Sequence, residues 1–400
     1  MTRERKAVVF GAGNVGRGFL GQLFTESGYE VVFAEVDRRL VERLNSERSY
    51  TLRLVDNAFS QDLAVSPVRA VDGKDRTAVA LEIKTADLLA TAVGVRALPQ
   101  VAPVIARGVA YRADARMKAP LNVIICENLR RASEGLRTMC REHLSAEHQS
   151  YMVEKVGFVE AVIARMVPIL PADLREKDPT FVLVEPYKVL PVDRKGFKGP
   201  VPEIVGLHAH THFAAYVDRK LCLHNAGHAM LGYLGHQKGL EFGYQALEDP
   251  QINPLLHQAL REAVHGLVRE HSLARQDLAA HTADLVRRFG NRALGDTVFR
   301  LARDPARKLR PEDRLVGAAR LAEKAGVTPE ALAWGIAAGF CFDSPDDPLA
   351  LRLQARIAAK GFPATLAEVS GILADEPLGT LVIERYQRLR EGDWSGDGSV

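Results

Sequence analysis

One glycine-rich turn near the start of the chain restricts the possible folds more than any other feature. Gly11, Gly13 and Gly16 form a G-x-G-x-x-G pattern, preceded by the apolar run 7–10 and followed by apolar residues at helical spacing over 19–24. This order predicts a strand, a tight turn and a helix. Such a succession is typical of the β-α-β unit that begins a parallel sheet.

Further apolar runs along the first half of the chain extend this pattern. Residues 31–34, 87–93 and 122–126 each predict a buried strand, and a segment of helical character precedes each of the last two. The stretches 158–167 and 180–184 predict additional strands. The sequence therefore predicts an α/β fold that begins with a Rossmann-type doubly wound sheet.

The second half of the chain has a different character. A length of 400 residues predicts two domains. The segment 186–202, rich in Pro, Gly and Lys, predicts the connection between them, and from about residue 213 apolar residues recur at helical spacings, for example over 256–267. We expect a dinucleotide-binding domain over 1–195 and a mainly α-helical domain over 196–400.

Composition excludes several functional classes. The 53 basic and 50 acidic residues give a net charge of +3, which does not favour binding to nucleic acid or to a membrane surface. The four cysteines form no CxxC pair, as in a protein of a reducing compartment without structural zinc. The charged residues 1–6 do not resemble a signal peptide, and no apolar run has the length of a membrane span. We therefore expect a cytoplasmic location.

The glycine turn predicts a dinucleotide site for physical reasons. Gly11 permits the tight turn, Gly13 lets the backbone approach a pyrophosphate, and Gly16 allows close packing of the following helix. The N–H groups at the start of that helix attract the phosphates. We expect the whole turn, including Asn14 and Val15, to bind the cofactor.

The identity of the cofactor depends on the residue at the end of the second predicted strand. Glu35 lies there, 19 residues after Gly16. A carboxylate in this position accepts hydrogen bonds from the ribose hydroxyls and repels a 2′-phosphate, which favours NAD over NADP. Arg38 and Arg39 follow closely, and an arginine serving a 2′-phosphate is the alternative.

Polar residues at the ends of two later strands extend the predicted site. Thr91, Val93 and Gly94 end one strand, and Glu127 and Asn128 follow another. Because ligands of open α/β sheets bind beyond the carboxyl ends of the strands, we expect Thr91, Val93, Gly94 and Asn128 to contact the cofactor. Asn128 can also face the substrate, and a surface turn is its alternative role.

A lysine, an amide and an imidazole occur close together at the start of the second domain. On a helix Asn225 and His228 share one face, Lys220 precedes His228 by about two turns, and Gly227 leaves room for close approach. A desolvated lysine can take a proton from an alcohol, and the other two side chains can donate to the alkoxide oxygen. A solvated lysine and a structural histidine are the alternative.

The spacing K-x4-N-x2-H of these residues resembles the catalytic motif of the long-chain mannitol dehydrogenase family. The chain is similar to this family in further stretches that occur in the same order: residues 10–19, 91–94, 126–128, 156–158, 197–199, 307–309, 313–315 and 335–338. The resemblance implies that Lys220 is the general base and that Asn225 and His228 polarise the substrate oxygen. It also implies an NAD-dependent reaction without a metal, on a small-molecule substrate.

The chain length is similar to that of the family members that use phosphorylated substrates. This resemblance implies that mannitol 1-phosphate and NAD give fructose 6-phosphate and NADH. One departure concerns substrate binding: Ala164 stands where the family usually has an aspartate, and Glu160 is not at an equivalent place. An unphosphorylated polyol, a hexuronate, or a non-catalytic NAD-binding role therefore stay open as alternatives.

Two groups of basic or imidazole side chains complete the candidate sites. The resemblance makes Arg307 and Lys308, with Asn128, the expected substrate contacts, and both cations suit a phosphate. A solvated pair at a helix start is the alternative. His208, His210 and His212 alternate as on one face of a strand, and we expect a polar face there instead of a metal site.

Overall fold

Two compact units make up the chain, Met1–Phe213 and Ala214–Val400. The structure is a computed structural model that describes residues 5–168, 170 and 172–394. The boundary predicted between residues 195 and 196 lies earlier than this division, because a strand at Leu207–His210 still pairs within the first unit. No helix in the described part of the chain has the length and apolarity needed to cross a membrane.

Among the residues that the structure describes, all strands lie in the first unit. They are β1 (Arg5–Phe10), β2 (Tyr29–Glu35), β3 (Tyr50–Val55), β4 (Ser60–Val65), β5 (Val68–Asp72), β6 (Leu88–Thr91), β7 (Leu121–Ile125), β8 (Val156–Glu160), β9 (Val182–Val184), β10 (Leu190–Asp193) and β11 (Leu207–His210). Three sheets result, in the orders β5-β2-β1-β6-β7-β8, β4-β3-β9 and β10-β11.

The six-stranded sheet is parallel throughout, and it confirms the predicted Rossmann-type fold. Its strands are continuous apolar runs because helices cover both faces of a parallel sheet. Val8, in the middle of β1, is fully buried and pairs in register with Val32 of β2 and Leu89 of β6. The strand order reverses at β1, so the carboxyl ends of β1 and β6 flank the crevice in which such sheets bind ligands.

One predicted strand was too long, and one hairpin was missed. Within 158–167 the strand ends at Glu160, Ala161 forms an isolated bridge, and residues 162–168 belong to no strand. The hairpin of β3 and β4 was not predicted, although β3 pairs with β4 in antiparallel register from Tyr50 to Val55. Its outer strand is largely exposed, which weakens the apolar alternation that predicts a strand.

The helices occur in both units. They are α1 (Gln22–Glu26), α2 (Arg38–Glu47), α3 (Arg76–Lys84), α4 (Leu98–Asp114), α5 (Ala132–Glu142), α6 (Ala146–Lys155), α7 (Ala172–Lys177), α8 (Phe213–Arg219), α9 (Ala226–Gln237), α10 (Gly243–Glu248), α11 (Ile252–His271), α12 (Arg275–Phe289), α13 (Val298–Ala302), α14 (Pro305–Lys308), α15 (Arg314–Lys324), α16 (Glu330–Phe340), α17 (Pro348–Lys360), α18 (Phe362–Ser370) and α19 (Pro377–Glu391). Short 3₁₀ turns occupy Val95–Ala97, Arg194–Gly196 and Arg292–Leu294.

The second unit is helical, as predicted. In α11 the residues expected to face the core, Leu256, Leu260, Val264 and Leu267, are all buried. Most of α16 is apolar and every residue from Ala331 to Phe340 is buried, so this helix passes through the centre of the unit.

Two π-helical turns interrupt otherwise regular helices, at Gly16–Gly21 and at Lys220–Asn225. The first has a visible cause. The Tyr50 hydroxyl donates a hydrogen bond of 2.6 Å to the Arg17 carbonyl, and a Cβ on Gly21 would lie 2.1 Å from that hydroxyl oxygen. An inserted side chain that takes over a helix carbonyl widens the helix locally.

Candidate active site

The glycine turn after β1 has the shape that a dinucleotide requires. Gly11 has a φ of +89°, and a Cβ there would lie 2.6 Å from the Ala92 carbonyl oxygen. A Cβ on Gly16 would lie 2.0 Å from the Gly11 carbonyl oxygen, whereas one on Gly13 would meet nothing within 4 Å. Gly13 and Asn14 are exposed. The turn is thus closely packed on its protein side and open on the side where a pyrophosphate would bind.

Glu35 is held against this turn by backbone donors. Its Oε2 accepts a hydrogen bond of 2.8 Å from the Ala12 N–H, and its Oε1 accepts from the N–H groups of Val36 and Asp37 at 2.7 and 3.0 Å. A carboxylate offers about four acceptor positions, so these bonds leave capacity for a ribose hydroxyl. The geometry suits the predicted ribose contact.

The two arginines that were the alternative for NADP point to other partners. Arg38 forms an exposed ion pair of 2.8 Å with Glu42, one helical turn along α2. Arg39 donates to the Glu176 carbonyl at 3.0 Å. Each contact uses one part of a guanidinium group, so it is the Glu35 carboxylate at the end of β2 that favours NAD as the cofactor.

A second carboxylate, which the sequence analysis did not select, organises the loop after β6. Glu127 is 9 % exposed and accepts hydrogen bonds of 2.9 Å from the Val93 and Gly94 N–H groups, one on each carboxylate oxygen. Asn128 follows it and is exposed, whereas Thr91 is fully buried. Glu127 thus joins the loop to the segment that contains Asn128, and the contacts of Thr91, Val93, Gly94 and Asn128 with the cofactor stay predictions.

The segment around Ala164 is structural in the first unit. Ala164 is buried, and the guanidinium of Arg165 donates to the Glu185 carbonyl at 2.8 Å and to the Gln22 side chain at 2.7 Å. Glu160 accepts a bond of 3.2 Å from a backbone N–H of α5. Glu160, the last residue of β8, is therefore held against a helix through one carboxylate oxygen.

The three histidines before α8 do not form a cluster of ligands. His208 and His210 lie on β11, with ring centroids 6.4 Å apart, and His212 lies beyond the end of that strand. In the ranges that the structure describes, no group of three His, Cys, Asp or Glu side chains is arranged to hold a metal ion.

In the second unit, Lys220 and Asn225 lie on a π-helical turn, where a regular helix was expected, and His228 lies on α9, which follows it. In an α-helix two residues five apart differ by about 140° around the axis. The π-helical turn Lys220–Asn225 has hydrogen bonds between residues five apart, which places its first and last residues one turn apart on one side. Lys220, Asn225 and His228 are all half-buried, whereas Cys222 to His224 are buried.

Lys220 has the electrostatic surroundings of a base. Burial, with a further contribution from the charge of Arg314, lowers the pKa of Lys220 from 10.5 to about 8. A base whose pKa lies near the working pH is both available in the neutral form and able to hold a proton.

His228 is fixed by aromatic packing and kept neutral by its surroundings. Its ring centroid lies 4.4 Å from that of Phe289 and 4.7 Å from that of His224. A Cβ on Gly227 would lie 2.6 Å from the Phe289 ring, so this glycine permits the packing. Burial, followed by the charge of Arg300, lowers the pKa of His228 well below its usual value, and a neutral imidazole can donate one N–H.

Basic side chains from four separate helices lie close enough to His228 to affect its pKa. Arg288 of α12, Arg300 of α13, Lys308 of α14 and Arg314 of α15 all act on its pKa. Of these only Lys308 was predicted from the sequence, because arginines on helices resemble solvated charges until the helices pack. The three arginines bring positive charge to this part of the unit, and Arg300 and Arg314 are ion-paired with Asp296 and Asp313.

The two predicted substrate contacts differ in their surroundings. Lys308 is 5 % exposed and its Nζ donates to the Leu301 carbonyl, while burial and the charge of Arg314 lower its pKa to about 6. The Arg307 side chain is 42 % exposed and its Nε donates to Asp304 at 2.6 Å. Arg307 is therefore the better placed of the two for a phosphate.

Comparison with known proteins gives matches over both units. The family model "Mannitol dehydrogenase Rossmann domain" matches residues 5–206, and "Mannitol dehydrogenase C-terminal domain" matches residues 212–385. The chain is 38 % identical over 390 residues to a mannitol-1-phosphate 5-dehydrogenase of Brevibacillus brevis, covering 98 % of this chain and 99 % of the relative. It is 38 % identical over 383 residues to one of Bacillus subtilis, covering 96 % and 100 %.

Solved structures show a similar fold at low identity. Mannitol 2-dehydrogenase of Pseudomonas fluorescens, a ternary complex with NAD and D-mannitol, has a TM-score of 0.74 and 17 % identity, covering 98 % of this chain and 93 % of that one. A D-sorbitol dehydrogenase in substrate-free form has a TM-score of 0.80 and 17 % identity, covering 97 % and 93 %. At this identity the similarity supports the fold only.

Proposed function

This chain belongs to the mannitol dehydrogenase family, and on that premise we propose that it is an NAD-dependent dehydrogenase that interconverts mannitol 1-phosphate and fructose 6-phosphate. Several curated relatives, 37–39 % identical over nearly the full length, carry the name mannitol-1-phosphate 5-dehydrogenase. Oxidation of mannitol 1-phosphate at carbon 5 gives the 2-ketose phosphorylated at carbon 6, which is fructose 6-phosphate.

The first unit would hold the cofactor. Gly13 and Asn14 would face the pyrophosphate on the open side of the glycine turn, with Val15 beginning the helix behind it. Glu35 would accept from the ribose, and Asn128 would face the nicotinamide ribose or the substrate. Bound NAD supplies the acceptor for the hydride.

The observation that carries the proposal is the π-helical turn that sets Lys220 and Asn225 on one side, with the pKa of the lysine lowered to about 8. In the oxidation, neutral Lys220 would take the proton of the reacting hydroxyl. Asn225 and neutral His228 would donate hydrogen bonds to the oxygen as negative charge develops on it. In the reduction, protonated Lys220 would return the proton to the same oxygen.

The cations around His228 would bind the anionic end of the substrate. The Arg307 side chain is 42 % exposed and uses only its Nε in the contact with Asp304, so we assign it the phosphate. Arg300 and Arg314 would add to the positive potential of the site, whereas Lys308, with a pKa of about 6, is largely neutral at pH 7. An alanine at position 164, without a carboxylate for polyol hydroxyls, makes the substrate more dependent on this anionic contact.

A substrate panel tests the proposal. The rate of NADH oxidation is followed by absorbance with fructose 6-phosphate, fructose and a hexuronate. We expect kcat/KM with fructose 6-phosphate to exceed that with fructose by at least about tenfold, since charge-assisted bonds to phosphate are strong. A better rate with fructose or the hexuronate would assign the chain to a different substrate of the family. NADH binding without turnover of any ketose would indicate a non-catalytic role.

We further propose that the reaction takes place in the cytoplasm. Cys126, Cys140 and Cys341 are buried free thiols, which is typical of proteins kept in a reducing compartment. Burial raises the pKa values of Cys140 and Cys341 to about 12, so these thiols are inert toward oxidation at neutral pH.

A further inference from the structure

We propose that two aspartates of the second unit, Asp347 and Asp304, act as positioning residues that hold Arg307 ready for the substrate phosphate. The proposal rests on the function proposed above and names residues that determine its specificity for a phosphorylated substrate. Neither aspartate touches the reacting carbon or the hydride. Their effect would pass through the guanidinium of Arg307.

Asp347 is the buried end of this arrangement. It lies just before α17 and is 5 % exposed. Its Oδ1 accepts a hydrogen bond of 2.9 Å from the Leu349 N–H and so caps the helix. Its Oδ2 accepts a bond of 2.6 Å from the Asp304 N–H, which belongs to a different segment of the chain. One carboxylate thus connects the start of α17 to the start of α14.

The backbone of Asp304 needs such support. Its φ of +62° and ψ of +57° lie in the left-handed region, which residues other than glycine adopt at a cost. It also precedes Pro305, and the ring of a proline disfavours helical conformations of the residue before it. A strained backbone conformation persists only where the surrounding structure holds it in place. Here the hydrogen bond from the Asp304 N–H to Asp347 does this.

The strained backbone directs the Asp304 side chain at Arg307. Asp304 Oδ2 accepts from the Arg307 Nε at 2.6 Å, with 42 % of the arginine side chain exposed. A guanidinium has five N–H donors in a planar fork, and this contact uses only the Nε edge. The terminal nitrogens of Arg307 make no further hydrogen bond in the described part of the chain. They remain available for a phosphate.

Asp304 would hold the Arg307 side chain in one orientation before the substrate binds, which explains why a carboxylate is present in a site for an anion. Asp304 weakens the positive potential at Arg307, which by itself lowers affinity for phosphate. It also removes the rotational freedom of a long side chain, whose ordering on binding costs affinity. Bidentate recognition of a phosphate depends on the plane of the guanidinium, so a fixed plane selects phosphorylated substrates over unphosphorylated ones.

The test compares substrates in designed variants. Asp347→Asn keeps the size and one acceptor oxygen, but its amide cannot accept from both N–H groups. Asp304→Asn tolerates the left-handed backbone and loses the ion pair with Arg307. For each we expect KM for fructose 6-phosphate to rise about tenfold with kcat within about threefold, so that the ratio of kcat/KM for fructose 6-phosphate over fructose falls.

A double-mutant cycle separates positioning from a general structural role. In an Arg307→Ala background, Asp304→Asn should change the substrate ratio no further, because the group it acts through is gone. The matched control is Asp75→Asn, which alters another aspartate that caps a helix, α3 of the first unit, and should leave the ratio unchanged. Thermal unfolding of every variant reports the stability separately.

The outcomes distinguish this inference from the proposed function. If the unmodified enzyme does not prefer fructose 6-phosphate, the proposed function fails. If the enzyme prefers it and Arg307→Ala loses that preference, while Asp304→Asn and Asp347→Asn keep it, the positioning role is overturned. An equal loss of kcat/KM with both substrates, or a preference that survives Arg307→Ala, overturns it as well.

Discussion

The lowered pKa of Lys220 makes a quantitative prediction about the pH dependence of the reaction. In the oxidation Lys220 must be neutral to take the hydroxyl proton, so kcat should rise with pH and level off above about pH 8. In the reduction it must be protonated, so kcat should be constant at low pH and fall above about pH 8. Opposite slopes in the two directions are the signature of one group acting as base and acid.

The size of the effect follows from the shift. At pH 7 a lysine with a pKa of 10.5 is neutral in roughly one molecule in 3,000, and one with a pKa of about 8 in roughly one in ten. The surroundings of Lys220 therefore increase the neutral base about 300-fold at pH 7. Lys220→Ala should reduce kcat by on the order of 10²-fold or more, since general bases contribute at least that much.

The assay combines kinetics with cofactor binding. Initial rates with saturating NAD and mannitol 1-phosphate, and with NADH and fructose 6-phosphate, are measured across the pH range, and NADH affinity is measured by fluorescence. Lys220→Ala should bind NADH normally, and an added primary amine should restore part of its rate. Arg314→Gln, which removes a positive charge that lowers the pKa of Lys220, should move the oxidative profile to higher pH.

Two results would refute this reasoning. One is a Lys220→Ala enzyme with near-normal kcat, which would show that another group takes the proton. The other is an oxidative profile that does not change between pH 7 and pH 9 under conditions where the chemical step limits the rate. The second result would mean that the pKa of the base lies elsewhere.

Three further predictions concern the glycine turn after β1 and the packing of His228. Glu35→Ala should weaken NADH binding about tenfold and relax the preference over NADPH, and equal affinities in the unmodified protein would contradict the assignment. Gly16→Ala should lower the free energy of unfolding, measured by denaturant titration, by more than about 1 kcal/mol. Gly13→Ala should change that free energy by less than about 0.5 kcal/mol and should weaken NADH binding, measured by fluorescence. Gly227→Ala should push against the Phe289 ring, cost about 1–3 kcal/mol of stability and lower kcat; an unchanged kcat would disprove a positioning role for this packing.

Local patterns in the sequence were sufficient for the fold class and for the cofactor turn. The glycine spacing depends on contacts between residues that are close in the chain, and the structure has Gly11 at positive φ and Gly16 packed on the carbonyl of Gly11. The parallel strands are apolar runs because both faces of the sheet are buried. Helix α11 has apolar residues at helical spacing because one side of it is buried. Each of these patterns lies within a few helical turns or a single strand, so it can be recognised from the sequence alone.

Tertiary packing decided the details of the two candidate sites. The hydrogen bonds from the loop after β6 to Glu127, which follows β7, join two strands that are adjacent in the sheet and distant in the chain. The cations around His228 come from separate helices, α12 to α15, and no spacing in the sequence relates them. The link from Asp347 to Asp304 spans 43 positions along the chain.

The π-helical turn at Lys220 shows, within one helix, the same difference between what the sequence predicts and what tertiary packing decides. The sequence identified Lys220, Asn225 and His228 through their spacing, and it predicted a regular helix around them. The winding of Lys220–Asn225 differs from that prediction, and it changes which side chains share a face. The chemical type of a side chain is a property of the sequence. Its pKa and its orientation depend on burial and on charges that only the folded chain brings near, because electrostatic and packing forces act through space and not along the backbone.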